Sequence, residues 1–308
     1  MLRDMGLLDG KVVIVTGAGR GIGRGEALEC AAQGAAGVVA EFDPETGESV
    51  AKEIVAAGGR AVACAGDVAD AEVADRLVAT AVTEFGRLDA LVNNAGILRD
   101  KTLAKLSEDD WDAVVRVHLR GHFLPTRAAV QHWKEAKQPG HVVHTASTSG
   151  ILGNFGQSNY GAAKAGIAAF STIVAMEGAR GGITSNAIAP TALTAMTLGL
   201  MPQEFRDERE AALARGEFDF FAPENVAPLV AFLCSDASAH ISGKVFGVQG
   251  DSIEIFQPFT SVAEVKNDGK RWDPEDIGGR IDELWSASGI TPGAENMMAK
   301  MRYQILAL

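Results

Sequence analysis

Residues 11–23, KVVIVTGAGRGIG, decide the fold of this 308-residue chain. The first six form a short apolar run typical of a buried strand, the glycine-rich turn follows, and a helical pattern continues to about residue 33. A strand, a glycine turn and a helix in this order are the phosphate-binding start of a doubly wound fold. The glycines let the backbone approach a pyrophosphate, and the helix N-terminus favours its charge. The spacing Gly-x-x-x-Gly-x-Gly departs from G-x-G-x-x-G, so a plain strand-to-helix turn stays an alternative here.

The second apolar run, residues 36–41, ends in Glu41, close to where an acidic side chain meets the adenosine ribose. A carboxylate there accepts a hydrogen bond from the 2′-hydroxyl and repels a 2′-phosphate, so NAD is predicted rather than NADP. Arg20 in the glycine turn is the counter-argument, because a guanidinium binds a 2′-phosphate. A solvated strand end is the other interpretation of Glu41.

The alternation of apolar strands and helical patterns continues through most of the chain. Further strands are predicted at residues 61–65, 88–92, 141–146, 183–188 and 245–248. The pattern predicts an α/β fold with a doubly wound, mainly parallel seven-stranded Rossmann sheet and helices on both faces. We expect one domain at residues 1–250 and a C-terminal extension at residues 251–308.

Small and polar residues follow the predicted strand ends, where ligands bind in such sheets. They include Asp67-Val68, Asn93-Asn94-Ala95-Gly96, Ser147 and the loop after Pro190. The asparagine side chains are expected to tie neighbouring strand ends together.

Candidate proton-transfer groups lie in residues 147–164, STSGILGNFGQSNYGAAK. On a helix predicted at residues 157–179, Tyr160 and Lys164 share one face at i, i+4 spacing. A nearby ammonium favours the phenolate and is expected to lower the tyrosine pKa toward neutrality. Ser147, from an adjacent strand end, is placed to hold the reacting oxygen. Taken alone, Tyr-x-x-x-Lys is more often a surface feature of an amphipathic helix.

Composition excludes other classes of protein. The net charge of −12 argues against nucleic-acid binding, and the sequence has no apolar run long enough for a membrane span. A cytoplasmic enzyme is expected. Three isolated cysteines are interpreted as small core residues. His118 and His122 have a possible metal-ligand spacing, but no H-E-x-x-H pattern accompanies them, so no metal is expected.

Two segments lie outside the regular alternation. Residues 191–221 are rich in Met, Leu and Phe and are interpreted as a mobile lid over the substrate, with a surface helix pair as the alternative. The extension carries Trp272, Trp285 and an apolar end at residues 305–308. Such residues need a surface to cover, so we expect the extension to pack on the substrate side or on a neighbouring subunit.

These motifs, in this order, resemble the short-chain dehydrogenase/reductase family over about residues 8–250. More narrowly, His118-Leu119-Arg120-Gly121 and residues 150–157 resemble the dehydrogenase domain of peroxisomal multifunctional enzyme type 2. That enzyme oxidises (3R)-hydroxyacyl-CoA and some 17β-hydroxysteroids. Many family members have Asn at the position of His118, whereas this subgroup has His. A side-chain role and simple packing are both open for it.

The resemblance implies that Tyr160 is the catalytic acid/base, Ser147 holds the substrate oxygen, and Lys164 lowers the tyrosine pKa and grips the nicotinamide ribose. His118 is the fourth catalytic candidate. The implied cofactor-binding residues are Gly17, Arg20, Gly21, Ile22, Gly23, Glu41, Asp67, Val68, Asn93, Ala95, Gly96, Tyr160, Lys164, Pro190 and Thr194.

The function implied is NAD-dependent hydride transfer to and from a secondary alcohol or ketone, with a 3-hydroxyacyl-CoA or a hydroxysteroid as substrate. Homodimers and homotetramers both occur in the family, and no nucleic-acid or membrane partner is expected. One alternative is an NADPH-dependent reductase of 3-oxoacyl-carrier protein or small ketones. Another is a dinucleotide-sensing protein without turnover.

Overall fold

The computed structural model describes residues 6–194, 198, 201–257, 259–290 and 293. Strands run over β1 Val12–Thr16, β2 Ala36–Glu41, β3 Arg60–Ala65, β4 Ala90–Asn93, β5 Gly140–Thr145, β6 Ile183–Pro190, β7 Val245–Gln249 and β8 Ser252–Phe256. Helices run over α1 Gly21–Ala32, α2 Pro44–Ala56, α3 Ala71–Phe85, α4 Glu108–Val115, α5 Gly121–Ala136, α6 Thr148–Leu152, α7 Ser158–Gly178, α8 Gln203–Ala214, α9 Ala227–Leu233 and α10 Pro274–Ser288.

The strands form one sheet in the order β3-β2-β1-β4-β5-β6-β7-β8. The first seven pair in parallel, as predicted. The order reverses between β1 and β4, and the carboxyl ends on either side of that point form the crevice where ligands bind in such sheets. The eighth strand, β8, was not predicted. It follows β7 after two residues, a connection that only an antiparallel pair permits.

Each face of the sheet is covered by helices, because the strand side chains are apolar on both sides. Val13 and Val15 of β1 pack with α1, α2 and α9 on one face. Val12 and Ile14 pack with α3 and α5 on the other. Ile167 of α7 packs with Ala146 and Ala187 in a third, smaller cluster.

One π-helical turn, Arg116–Arg120, lies between α4 and α5 and interrupts an otherwise continuous helical stretch. Pro125 lies in the first turns of α5. Its ring has no N–H and crowds the carbonyl four residues earlier, so the helix widens immediately before it. The widened turn contains His118.

The chain divides into two compact units after Ile255, because β8 extends the sheet past the expected boundary at residue 250. Within the second unit, the Arg280 guanidinium lies 5.8 Å from the centre of the Trp272 ring, a cation–π contact. The surface that this extension covers stays a prediction, and residues 305–308 lie outside the described residues. None of the described helices is long and apolar enough to cross a bilayer.

The packing of α1 on β1 gives a first testable prediction. A Cβ at Gly23 would lie 2.3 Å from the Gly17 carbonyl oxygen, a backbone atom that has no room to move. We expect Gly23→Ala to lower the free energy of unfolding by about 1–3 kcal/mol, measured by urea denaturation. Gly37→Ala is the control, since its Cβ would have no neighbour nearer than the Ala61 side chain at 3.9 Å, an ordinary van der Waals distance. Equal stability of both variants would contradict the assigned close approach.

Candidate active site

The glycine turn between β1 and α1 has the shape of an anion cradle. Gly17 has φ +63°, and a Cβ there would lie 2.7 Å from the Ala95 Cα. No side chain caps the N-terminus of α1, because the N-cap residue Arg20 has no acceptor atoms in its side chain. The first turn of the helix also has no acidic residue. The first N–H groups of α1 are therefore available to an anion, which fits the pyrophosphate of a dinucleotide.

The turn after β4 is fastened to the glycine turn by hydrogen bonds. The Asn94 amide donates to the carbonyl oxygens of Thr16 at 3.0 Å and Gly17 at 3.1 Å. The Thr16 hydroxyl accepts from the backbone N–H of Asn94 at 3.0 Å and of Ala95 at 3.1 Å. The predicted tie between strand ends is confirmed for Asn94. Asn94 and Thr16 were not named among the site residues, although the doubled Asn was a signal.

Glu41, at the end of β2, faces the glycine turn. One carboxylate oxygen accepts from the Gly19 N–H at 2.8 Å, and the other accepts from the Phe42 N–H at 2.9 Å. Glu41 is partly exposed and Arg20 is exposed. The carboxylate therefore lies where the sequence placed it, with both oxygens oriented by backbone donors.

Other predicted cofactor residues also lie at this edge of the sheet, but two of their side chains are engaged elsewhere. The Asp67 carboxylate accepts from the Ala69 N–H at 2.8 Å and from Arg116 at 2.5 Å. The buried Asn93 amide donates to the Thr126 hydroxyl at 2.9 Å. Their side chains thus support neighbouring elements.

The loop after β6 lies over the start of α1. A Cβ built on Gly21 would be 3.2 Å from the Thr194 Cγ2. Pro190 is the last residue of β6, where the chain leaves the sheet. Of the segment interpreted as a lid, residues 195–197, 199 and 200 lie outside the described residues. Residues 203–214 form α8, and Phe205 packs against Phe221 with ring centres 5.6 Å apart.

Ser147, Tyr160 and Lys164 come together beside this crevice. Ser147 caps α6, where its hydroxyl accepts from the Ser149 N–H at 3.1 Å, and it is hydrogen bonded to Tyr160. Gly150 lies so close to α7 that a Cβ there would be 2.6 Å from the Lys164 carbonyl carbon. The short helix α6, which was not predicted, therefore holds the serine against the tyrosine.

The pKa of Tyr160 corrects an expectation. Burial raises it to about 12, against the opposing effect of the Ser147 hydrogen bond, and the Asp100 carboxylate raises it further. The lysine was expected to lower it, and its ammonium does lie near, with Nζ 5.6 Å from the centre of the Tyr160 ring. In the protein alone, desolvation of the phenolate is the larger effect. Tyr160 is therefore a protonated group at neutral pH.

Lys164 is almost completely buried, and its Nζ donates to the Thr145 carbonyl oxygen at 2.5 Å. Burial lowers its pKa to about 7, while the Glu26 carboxylate acts in the opposite direction. An ammonium with one hydrogen bond in an apolar surrounding is costly to keep charged.

His118 contacts Tyr160. Its ring lies edge-to-face on Tyr160, with centres 5.2 Å apart. Its Nε2 lies 2.8 Å from the Ile97 carbonyl oxygen and 3.1 Å from the Ile97 nitrogen, and a Cβ on Gly96 would meet the ring at 2.3 Å. Burial, followed by the charge of Lys164, lowers the pKa of His118 to about 3. The neutral imidazole therefore shapes the wall beside Tyr160.

Two further buried histidines lie behind His118. The Nδ1 atoms of His122 and His144 are 3.4 Å apart, and the rings are stacked with centres 5.5 Å apart. Burial lowers the pKa of His122 well below its usual value and that of His144 to about 3. Among the described residues, no group of three or more His, Cys, Asp or Glu side chains is arranged to hold a metal ion.

Glu26 is a buried acidic residue that the sequence pattern did not indicate. It lies on α1 with no exposed surface, and burial raises its pKa to about 8, against the effect of the Lys164 charge. In the sequence it resembles any charged helix residue, and the weak amphipathic pattern of α1 gave no signal that it faces inward.

The short chain dehydrogenase family model matches residues 11–204. The chain belongs to the short-chain dehydrogenase/reductase family. It is therefore an oxidoreductase that acts on CH–OH groups, and the family binds a nicotinamide dinucleotide.

Named relatives agree with this assignment. The chain is 42% identical over 285 residues to hydroxyacyl-CoA dehydrogenase ChsB1 of Mycobacterium tuberculosis, covering 88% of this chain and 87% of that one. It is 43% identical over 249 residues to peroxisomal multifunctional enzyme type 2 of Mus musculus, covering 78% of this chain and 32% of that protein. A short chain dehydrogenase from Mycobacterium avium superposes with a TM-score of 0.82 at 43% identity, covering 92% of this chain and 97% of that one.

The buried histidines predict how stability depends on pH. The folded-state pKa values of His118 and His144 lie far below the unfolded value of 6.5. Their contribution to stability is therefore fully present above that value and is lost as pH falls toward 3. We expect the melting temperature to fall between about pH 7 and pH 5 and to fall less in His144→Gln. The exposed His240→Gln is the control, and an unchanged slope in His144→Gln would contradict the prediction.

Proposed function

We propose that this oxidoreductase transfers hydride between NAD and the secondary alcohol of a 3-hydroxyacyl-CoA thioester or a hydroxysteroid. One observation carries the proposal: Ser147, Tyr160 and Lys164 converge beside a glycine turn that Glu41 faces. The name of the Mycobacterium tuberculosis relative supports the hydroxyacyl-CoA class. The resemblance to the subgroup supports both substrate classes.

The chain's own residues account for the proton chemistry. In alcohol oxidation Tyr160 must first lose its own proton to solvent, and the tyrosinate then accepts the hydroxyl proton while the Ser147 hydroxyl fixes the same oxygen by a hydrogen bond. The Lys164 ammonium lowers the cost of the tyrosinate that this step requires. In ketone reduction, Tyr160 is already protonated and acts as the donor. NAD, when bound, supplies the hydride acceptor, and the protein supplies orientation.

Residues at the glycine turn account for the cofactor proposed. The N-terminus of α1 would hold the pyrophosphate, and Glu41 would accept from the ribose 2′-hydroxyl. A 2′-phosphate would bring negative charge against a carboxylate that two backbone N–H groups keep in place. Arg20, exposed in the same turn, favours the alternative of an NADPH-dependent reductase of 3-oxoacyl-carrier protein or small ketones. The other alternative is a dinucleotide sensor without turnover. The Ser147–Tyr160 hydrogen bond argues against it, because a protein that only binds the dinucleotide does not need these two hydroxyl groups together.

Assembly and location remain proposals. Met176 of α7 is 75% exposed and Ile173 is 51% exposed, so this helix presents an apolar face that a second copy of the chain would cover. A homodimer or homotetramer is proposed on this basis and on the family resemblance, and the cytoplasmic location stays a prediction from the sequence.

The proposed reaction predicts that kcat falls when the Tyr160 hydroxyl is removed. We expect Tyr160→Phe to lower kcat by about 10²–10⁴-fold, since the acid/base group is lost while the ring stays against His118. The assay follows NAD reduction with (3R)- and (3S)-hydroxyacyl-CoA esters and a 17β-hydroxysteroid. Turnover of an ester or steroid that disappears in the variant supports the proposal. Oxidation of NADPH by simple ketones, with no NAD-linked turnover, would establish the alternative.

Glu41 predicts a change in cofactor preference. Glu41→Gln removes the charge but keeps an oxygen that can accept from Gly19, so the turn is expected to persist. We expect the preference for NAD over NADP, measured as the ratio of kcat/KM values, to fall by about 10-fold or more. Glu45→Gln is the matched control, since it removes a nearby exposed charge at the start of α2. The same preference in all three proteins would contradict the role of Glu41.

A further inference from the structure

Asn159, the residue before Tyr160, is completely buried and hydrogen bonded through both polar atoms of its side chain. Its Oδ1 accepts from the Tyr160 backbone N–H at 2.8 Å. Its Nδ2 donates to the carbonyl oxygens of Arg99 at 3.1 Å and Asp110 at 3.2 Å. One backbone donor and two backbone acceptors are satisfied together by an amide in this orientation. The side chain therefore connects the start of α7 with the loop after β4 and with the first turn of α4.

The first turn of α7 does not hold Tyr160 in place by itself. A helix leaves its first N–H groups without an acceptor in the preceding turn. The Gly161 N–H donates to the Gln157 carbonyl oxygen at 2.7 Å, so the regular ladder begins one residue after Tyr160. Asn159 supplies the acceptor that the Tyr160 N–H needs at this helix end.

A second connection joins the same elements at the surface. The Gln157 Nε2 donates to the Asp100 carboxylate at 2.7 Å, and Lys101 forms a backbone bridge with Gln157. The Lys101 Nζ in turn pairs with the Asp110 carboxylate at 2.6 Å. Water competes for these exposed groups, whereas the Asn159 amide is enclosed. The buried connection is therefore the one that solvent does not weaken.

The position of Tyr160 matters because its neighbours come from several elements. Ser147, which is hydrogen bonded to it, caps α6, and the His118 ring lies 5.2 Å away on the π-helical turn. Only Lys164 shares α7 with Tyr160. A shift of the helix start would therefore move the phenol relative to Ser147 and His118. Asn159 opposes such a shift, because α4, which it joins to α7, leads directly into the π-helical turn.

We propose that Asn159 is a positioning residue for Tyr160: its buried amide fixes the first turn of α7 against α4 and the loop after β4, and so holds the phenol hydroxyl beside Ser147 and the reacting oxygen. The inference rests on the proposed function in one respect, that this hydroxyl exchanges a proton with the substrate. Without the amide, one N–H and two carbonyl oxygens lose a partner in an enclosed place. The turn then shifts toward other partners, and the hydroxyl moves away from Ser147.

The test compares wild type with Asn159→Ala, Asn159→Asp and Ser158→Ala. The alanine removes all three hydrogen bonds. The aspartate, as a neutral acid, keeps the acceptor for the Tyr160 N–H and one donor for a carbonyl oxygen. Ser158→Ala is the matched control in the same turn, since the Ser158 hydroxyl has no hydrogen-bond partner among the described residues.

The position of the phenol hydroxyl is followed by NMR of tyrosine labelled at Cζ. The chain has two tyrosines, Tyr160 and Tyr303, so the Tyr160 signal is assigned by its absence in Tyr160→Phe. Ser147→Ala gives the signal of a phenol without the serine hydrogen bond. This measurement needs neither substrate nor turnover. The second measurement is kcat and KM for alcohol oxidation, with the Kd for NAD determined separately.

We expect the Tyr160 signal of Asn159→Ala to move toward that of Ser147→Ala, and kcat to fall by about 10–100-fold, because the reacting groups are misplaced. KM should change less than kcat, and the Kd for NAD should stay the same, because the glycine turn and Glu41 lie on other elements. Asn159→Asp should lie between wild type and Asn159→Ala. Ser158→Ala should match wild type. If Asn159→Ala does not fold, the Asp variant decides, because the loss of one donor should still produce a smaller change in the same direction.

Three results would overturn the inference. A wild-type Tyr160 signal in the folded Asn159 variants, together with a lower melting temperature, would show that the amide only stabilises the fold. A moved signal with unchanged kcat would show that the connection has no part in turnover. An equal change in Ser158→Ala would show a general effect of altering the helix start. Failure of the proposed function is separate, since wild type would then oxidise none of the alcohols while the NMR comparison still judges the Asn159–Tyr160 connection.

Discussion

The close approach of two backbone turns is the constraint on which the rest of this structure depends. A Cβ at Gly23 would lie 2.3 Å from both the Gly17 carbonyl oxygen and the Asn94 amide nitrogen. Only glycine therefore fits at this position in the first turn of α1. The same Asn94 amide fastens the ends of β1 and β4. This contact orients the free N–H groups of α1 toward the crevice at the point where strand order reverses. The same contact therefore shapes the anion cradle and joins the two strands between which the strand order reverses.

Desolvation controls the chemistry at the other side of the crevice. Tyr160 has a raised pKa and Lys164 a lowered one for the same reason, since burial penalises the charged form of each. The two shifts disfavour the tyrosinate–ammonium pair that the proposed alcohol oxidation requires. Two interactions oppose these shifts: the Ser147 hydrogen bond favours the tyrosinate, and the Glu26 carboxyl group, where it is ionised, favours the ammonium.

Sequence reasoning located the seven parallel strands and the convergence of Ser147, Tyr160 and Lys164, because strand ends and helical spacing are local signals. It missed β8, the π-helical turn and α6, whose conformations depend on sheet pairing, on Pro125 and on packing against α7. It also predicted the wrong direction for the Tyr160 pKa. The Tyr160 pKa depends on how deeply the phenol is buried. The spacing of Tyr and Lys in the sequence carries no information about that burial.

Two carboxylates show how environment separates residues of one type. Glu41 receives two backbone N–H groups and is partly exposed, so its charge is held toward the space where a ribose would lie. Glu26, also beside the glycine turn in sequence, receives no hydrogen bond that the described residues provide and is fully enclosed. Burial raises its pKa to about 8, so this group is a neutral acid at neutral pH. Backbone donors and partial exposure thus hold Glu41 toward the crevice, whereas burial without a partner keeps Glu26 in its neutral form.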